Sequence, residues 1–441
     1  MIAETPTLDQ PTIDLLREQD ALVQRARALF ALLDWSQLEQ QQASRHCPGP
    51  HPHPGSAYLK AFLLKIIHHL PYMTHLRTFL CDHPLLVLEL GFRPVPDASQ
   101  LYGFDVQRTV PSDRWLREKL YRLDPIVLST VLEQTVHALQ AEIPGLGEVV
   151  AFDVKHIYAW VRENNPRESM RDRFCKERQP KGDPDCRVGV KKSTNVEHPD
   201  GSKKEVKEYL WGYGSGVAAA TTPDYGDVVL AEYTQPFNEA DVSYYLPLHR
   251  QTVATLDFFP LHTTADAAYD AWYTYETVAH GKGIAAIPLN THGQEEGPRD
   301  PDGTPLCSKG LRMHPTYLFR HSNGFRAQRF RCPLLFPERT GQTCDHEQFA
   351  KAKGCVKDPN WEKGGLMRVL LDRASPLYHA VYTQRTCAER INSQAQALGI
   401  ERPKVRNGRS VEHLNTLIYI VINVRALAKA KSINTGLLQI K

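Results

Sequence analysis

Three acidic side chains stand out by position: Asp153 and Asp266, each at the end of an apolar stretch, and Glu389, inside the spacing Tyr382-x2-Arg385-x3-Glu389-x6-Gln396. Carboxylates delivered by three elements of one α/β domain are what a magnesium-dependent phosphoryl-transfer site needs, because hard Mg²⁺ selects oxygen ligands in near-octahedral geometry and keeps several waters. Arg385, Glu389 and Gln396 stand at i, i+4 and i+11 of one predicted helix. At about 100° per residue the first two share a face and the third returns to about 20° from the start, so all three line one groove. Taken alone, Arg385 and Glu389 would be an ordinary i,i+4 surface pair; Tyr382 and the two strand-end aspartates change that balance. Lys155 shares the strand parity of Asp153 and His156 does not, so Lys155 is the candidate phosphate contact. Trp160, Trp211 and Trp272 read as core or rim aromatics.

The elements that must position these residues follow from periodicity. Apolar positions from Leu15 to Leu33 make a helical stripe ending near Trp35, and residues 57–69 and 73–91 repeat the pattern around Pro71. Between them lies the rigid connector RHCPGPHPHPG, where His46, Cys47, His51 and His53 offer a weaker metal-binding reading. Residues 112–143 resume as helices. Then 147–161, rich in β-branched and aromatic residues, reads as the central strand carrying Asp153. A polar stretch follows at 162–208, strands at 210–220 and 227–235 complete an antiparallel meander, and 239–256 reads as a helix interrupted by Pro247. A short strand from Phe259 ends at Asp266, a helix covers 267–279 and a strand 283–289. The fold class is therefore α/β. Its expected parts are a helical N-terminal domain over 1–95 and a candidate DNA-binding module, a helical linker over 96–146, and a catalytic domain over 147–289 and 365–441, interrupted by an insertion over 290–364. Residues 365–382 read as β-like, 385–398 and 411–428 as helices.

Charge and cysteine usage narrow the partners. The net charge is +3, but residues 385–441 hold ten Lys/Arg against three Glu, and 300–370 hold twelve Lys/Arg against seven Asp/Glu, which suits a polyanion. No apolar run reaches the length of a membrane span and MIAETPTLDQ lacks signal-peptide features, so a soluble, intracellular protein without membrane contact is expected. Nine cysteines, an odd count, argue against a disulfide framework. Cys332, Cys344, His346 and Cys355 could seat a structural Zn²⁺, although none of their gaps is the tight C-x2–4-C of a strong zinc signature.

On these residues the chain resembles the DDE transposases of bacterial insertion sequences, in the group whose last catalytic segment runs Tyr-x2-Arg-x3-Glu-x6-Lys. Tyr382, Arg385 and Glu389 match, while Gln396 stands where that group has Lys. Asp266-Ala-Ala-Tyr269-Asp270 resembles the segment around the second acid, VVAFDVK the segment around the first, and the 123 positions between Asp266 and Glu389 fit an enlarged interval. The resemblance spans about 147–430, with an echo in VPSDRWLREKL. It implies a ribonuclease H-like catalytic domain, a β-rich insertion and two Mg²⁺ ions, with Mn²⁺ as a substitute, held by Asp153, Asp266 and Glu389. It further implies cleavage and strand transfer of double-stranded DNA at terminal inverted repeats and into target DNA, by a homodimer when DNA-bound, in the bacterial cytoplasm at the nucleoid. Arg385 and Tyr382 would contact DNA, Asp270 would stabilise its helix, and the charge missing at Gln396 would come from another base such as Arg390 or Lys404. The alternatives are a ribonuclease H-like nuclease outside transposition and a catalytically inactive DNA-binding descendant, because one fold hosts several such functions.

Overall fold

A computed structural model describes residues 7–36, 52–197, 203–279, 281–290, 297–351 and 353–439. The first helical stripe is two helices, α1 (Gln10–Gln19) and α2 (Ala21–Phe30). Asp20 breaks it: its backbone is extended, and its carboxylate accepts from the N–H groups of Leu22 and Val23, capping α2. Three further helices follow, α3 (Gly55–Ile67), α4 (Met73–Asp82) and α5 (Pro84–Leu90). His46, Cys47 and His51 lie outside the described residues. His53 is a packing residue, edge-on to Phe92 and Tyr58, with Nδ1 accepting from the Arg93 N–H at 3.1 Å. Helices α6 (Asp113–Tyr121) and α7 (Pro125–Glu142) are each started by a side-chain cap, Ser112 and Asp124.

The main sheet is mixed. Strands β1 (Val149–Tyr158), β2 (Arg187–Glu197), β3 (Lys203–Thr222), β4 (Gly226–Pro236), β5 (His262–Thr264) and β6 (Ala285–Ala286) pair in the order β2-β3-β1-β5-β6, with β4 also on β3. β1 is antiparallel to β3, with Asp153 opposite Val217, and parallel to β5, which is parallel to β6. β2 was hidden within the polar stretch 162–208: it extends the sheet along the first half of β3, and its apolar content is low. Pro247 does not interrupt helix α8 (Tyr245–Leu256), because it sits in the first turn, where no intrahelical N–H is required. Gly214 and Gly216 of β3 let Tyr244 and α8 lie directly on the strand; a Cβ at Gly216 would stand 2.6 Å from Tyr244 Cδ1. After β5 come a single tight turn at Ala267–Tyr269 and helix α9 (Trp272–Val278).

The insertion forms a separate three-stranded antiparallel sheet, β7 (His314–Arg320), β8 (Arg326–Arg331) and β9 (Val356–Lys357). The chain then returns as helices α10 (Lys363–Leu370), α11 (Pro376–Tyr382), α12 (Thr386–Ala397) and α13 (Gly408–Gln439). The β-like reading of 365–382 is corrected by α10 and α11. Ser375 caps the Tyr378 N–H and Pro376 occupies the first helical position. The aromatic and β-branched residues there bury Tyr378 and Val381 against Ala286, so tertiary packing overrides their strand preference.

β1 alternates as a strand covered on both faces. Val150 and Phe152 join the core beneath α7, α8 and α9, whereas Ala151 and Ile157 join a second core shared with α12, α13 and the N-terminal helices. The helical N-terminal segment thus shares one continuous core, from Ile13 to Val424, with the C-terminal helices. α13 is apolar nearly all round because it is enclosed by α3, α6, α7 and β4. Asn423 on α13 donates to the Val229 carbonyl at 2.7 Å and accepts from the Val229 N–H at 2.9 Å, satisfying β4 where its register with β3 shifts. Among the described residues no helix is long and apolar enough to cross a membrane.

Candidate active site

Asp153 stands mid-way along β1, on the face toward α12. Asp266 follows β5, the parallel neighbour of β1, and caps the next turn by accepting from the Ala268 N–H at 2.9 Å. The two carboxylates sit close enough to repel. Burial, reinforced by Asp266, pushes the Asp153 carboxyl up to about 6, against the opposing pull of the Val154 N–H, Arg385 and Asn392. A third acid shares the centre. Asp241, in the turn before α8, is pushed up to about 6 by burial and by Asp266 and Asp153. Nothing in EADVSYY distinguished it from the acidic start of an amphipathic helix, and no sequence signal would have found it.

α12 presents a stripe to this centre. Asn392 Nδ2 donates to Asp153 Oδ2 at 2.9 Å, and Arg385 lies near enough to Asp153 to attract it. Glu389 falls between Arg385 and Asn392 on the same helical stripe, but its exposed carboxylate is held by Arg385, with Nη2 2.6 Å from Oε1. Arg385 also lies 5.8 Å from the Tyr382 ring, which stacks on Tyr378. Asp153, Asp266 and Asp241 are therefore within electrostatic reach of one another, whereas the partner of Glu389 is Arg385, which also attracts Asp153. Among the described residues no three His, Cys, Asp or Glu side chains converge tightly enough to enclose one ion.

Two buried polar atoms at the centre lack a hydrogen-bond partner among the described residues, Asn392 Oδ1 and the Tyr269 hydroxyl. The latter is pushed well above its ordinary range by burial and by all three aspartates. Mutually repelling carboxylates beside unpaired oxygens cost free energy in a partly buried place unless a cation or its water shell joins them. The donor set is all oxygen, which fits Mg²⁺.

The cation next to Gln396 is Lys155, whose Nζ donates to Gln396 Oε1 at 2.9 Å and lies 4.0 Å from Glu401 Oε2. Neither replacement named from the sequence occupies that place. Arg390 forms a two-pronged pair with the buried Asp227, at 2.8 and 2.6 Å, tying α12 to β4. Lys404 lies over the Trp160 ring. His156, on the opposite parity, packs on Phe237. Trp211 is core, as expected, whereas Trp160 lines a basic groove. Asp270 has a fully buried side chain held by Arg368 at 2.8 and 2.6 Å, the Asn290 N–H at 2.7 Å and the Tyr275 hydroxyl at 2.8 Å, which makes it an architectural anchor.

In the insertion, Cys332 and Cys355 flank the paired residues Arg331 and Val356, Cys355 Sγ lies 3.4 Å from His346 Nδ1, and Cys344 Sγ lies 3.7 Å from Ser308 Oγ. Cys307, which sequence reasoning left out, shares this neighbourhood.

No family model matches the chain, and no curated protein or solved structure is significantly similar to it.

Proposed function

We propose that the chain is a DNA transposase of the DDE type, with a ribonuclease H-like catalytic domain that cleaves and joins phosphodiesters at insertion-sequence ends. The observation that carries this reading is the pairing of Asp153 and Asp266 at adjacent parallel strands, with the Arg385–Glu389–Asn392–Gln396 stripe of α12 laid along β1. The strand order β4-β3-β1-β5-β6, antiparallel and then parallel from β1 onward, supports the ribonuclease H-like assignment.

Asp153, Asp266 and Glu389 are the residues that would hold two Mg²⁺, with Asp241 beside them. The ions supply a lowered pKa for the attacking water or 3′-hydroxyl and stabilise the departing oxygen. The chain's own residues do the rest. Asn392 orients the Asp153 carboxylate through its amide, donating to Oδ2. The Arg385–Glu389 pair is exposed enough to be worth about 1 kcal/mol or less, so it opens readily. Its opening releases Glu389 to the acid centre and the Arg385 fork to a substrate phosphate, where planar, two-pronged donation favours Arg over Lys. Lys155, held by Gln396, places an ammonium on the Asp153 face of β1 and supplies the charge that Gln396 lacks.

The test is incubation of the full chain with labelled DNA bearing element ends, with Mg²⁺ or Mn²⁺, comparing wild type with Glu389→Gln. The expected result is metal-dependent release of a 3′ end and its joining to target DNA, both lost in the variant while binding persists. Equal cleavage by both proteins removes Glu389 from the site. Cleavage without joining favours a nuclease outside transposition.

A further inference from the structure

Beyond the acid centre, the far end of β1 opens into a basic groove. After Tyr158 the strand is continued by contact with the segment linking α12 to α13, the Tyr158 N–H donating to the Glu401 carbonyl at 2.9 Å. That segment reads Arg402-Pro-Lys404-Val-Arg406, with Pro403 and Val405 buried and the three cations directed outward. Each cation sits over an aromatic ring: Arg402 is 4.2 Å from the Tyr158 centroid, Arg406 4.9 Å and Lys404 5.9 Å from that of Trp160. Two adjoining hollows, of about 340 and 860 Å³, share Trp160, Lys404 and Arg406. Arg114 and Arg117 of α6 line the far wall.

The electrostatics are unbalanced. Of the carboxylates at the hollows, Glu168 pairs with Arg162, Glu118 with Arg122 and Asp185 accepts from the Gly408 N–H; Arg117 pairs with Asp113, but Arg114, Arg402, Lys404 and Arg406 pair with no carboxylate among the described residues. Unneutralised like charges in one concave place repel each other and focus a positive potential, which favours an anionic occupant. Contact with the Tyr158 and Trp160 rings holds the guanidinium groups in place without using their N–H donors, which suits donation to phosphate oxygens. Trp160 is seven residues beyond Asp153, roughly 23 Å along an extended strand. That corresponds to about seven base pairs of duplex. Lys155, two residues beyond Asp153 on the same face of β1, lies beside Gln396 and Glu401.

We propose that this groove is a binding tract for the phosphate backbone of double-stranded DNA, gripping the duplex about seven base pairs from the acid centre. It takes its substrate class from the phosphodiester-cleavage reading, but its test does not require cleavage.

The test measures affinity of the full chain for a linear duplex several turns long across a salt series. Wild type is compared with the triple variant Arg402→Ala, Lys404→Ala, Arg406→Ala, and with a double control, Arg402→Lys and Arg406→Lys, that preserves charge. Circular dichroism checks that each protein is folded. Loss of three phosphate contacts should lower the slope of log K against log salt by about 2.7. Affinity at low salt should fall at least tenfold, while the charge-preserving variant keeps the wild-type slope. An unchanged slope and affinity in the folded triple alanine variant overturns the proposal, as does wild type preferring single-stranded DNA of the same length. If the alanine variant misfolds, Arg402→Ala alone should still lower the slope by about 0.9, and no change overturns the proposal. Metal-dependent cleavage by wild type with an unchanged slope in the variant rejects the groove alone. A lowered slope with no cleavage by wild type rejects the transposase reading alone.

Discussion

Replacing Asp153 with Asn should make the metal-free protein more stable while removing the metal-dependent cleavage proposed for it. In the folded chain the Asp153 carboxyl titrates at about 6, against 3.8 for an unperturbed side chain, because it is buried and faces Asp266. A carboxyl whose folded pKa is raised lends stability that is fully present below its unfolded pKa and is lost as pH rises through the folded value. The wild type therefore bears only a small part of the cost at pH 4 and the full cost at pH 8. A shift of about two units corresponds to roughly 3 kcal/mol. Asn keeps an acceptor for Asn392 but loses the charge on that bond, worth about 1 kcal/mol, which leaves a net gain of about 2 kcal/mol. The assay is urea unfolding of both proteins in EDTA at pH 4, 6 and 8, repeated with Mg²⁺. The variant's advantage should be near zero at pH 4 and greatest at pH 8, and Mg²⁺ should stabilise the wild type only. A variant no more stable than wild type at pH 8, or equal stabilisation of both by Mg²⁺, would refute the view that uncompensated carboxylates await a cation at this place.

Two further outcomes test the framework behind the site. Glu232, enclosed between β4 and α13 and bonded to Thr416 at 2.5 Å, is pushed by burial up to about 8 from 4.5. Its contribution is lost as pH rises from about 4.5 through about 8, so Glu232→Gln should flatten the decline in thermal midpoint above pH 6, with a gain approaching roughly 5 kcal/mol above pH 8; parallel declines in both proteins would refute this. Asn423→Leu should cost about 2–4 kcal/mol in chemical unfolding, because it strands the Val229 N–H and carbonyl in the core and removes the donor to the Thr135 hydroxyl. A loss well under 1 kcal/mol would mean that the edge of β4 finds other partners.

The central strand, the strand before Asp266 and the helix bearing Glu389 were legible because each combines a local pattern with a chemical one, although Asp153 stands mid-strand and not at a strand end as expected. Periodicity fixed β1 and α12, and parity placed Lys155 beside Asp153. What escaped was tertiary. LYHAVY carries strand-forming residues, yet a Ser-Pro start and the surface offered by Ala286 make it α11. Polar β2 has no apolar face to announce it. Asp241 reaches the acid centre only because Gly214 and Gly216 let the turn before α8 settle onto β3. The partner of Gln396 could not be read either, since it depends on how far β1 and the segment after α12 lie from each other in space.

Asp270 receives the backbone N–H of Asn290 as the chain departs and the guanidinium of Arg368 as it comes back. That one buried carboxylate closes the excursion at its root, like a clasp on a loop of thread. Whatever is spliced between those two points, long or short, leaves the helix with Glu389 in the same place relative to Asp153 and Asp266. The insertion is consequently free to diverge or be exchanged wholesale, and a chimera carrying a foreign module there should inherit an undisturbed centre.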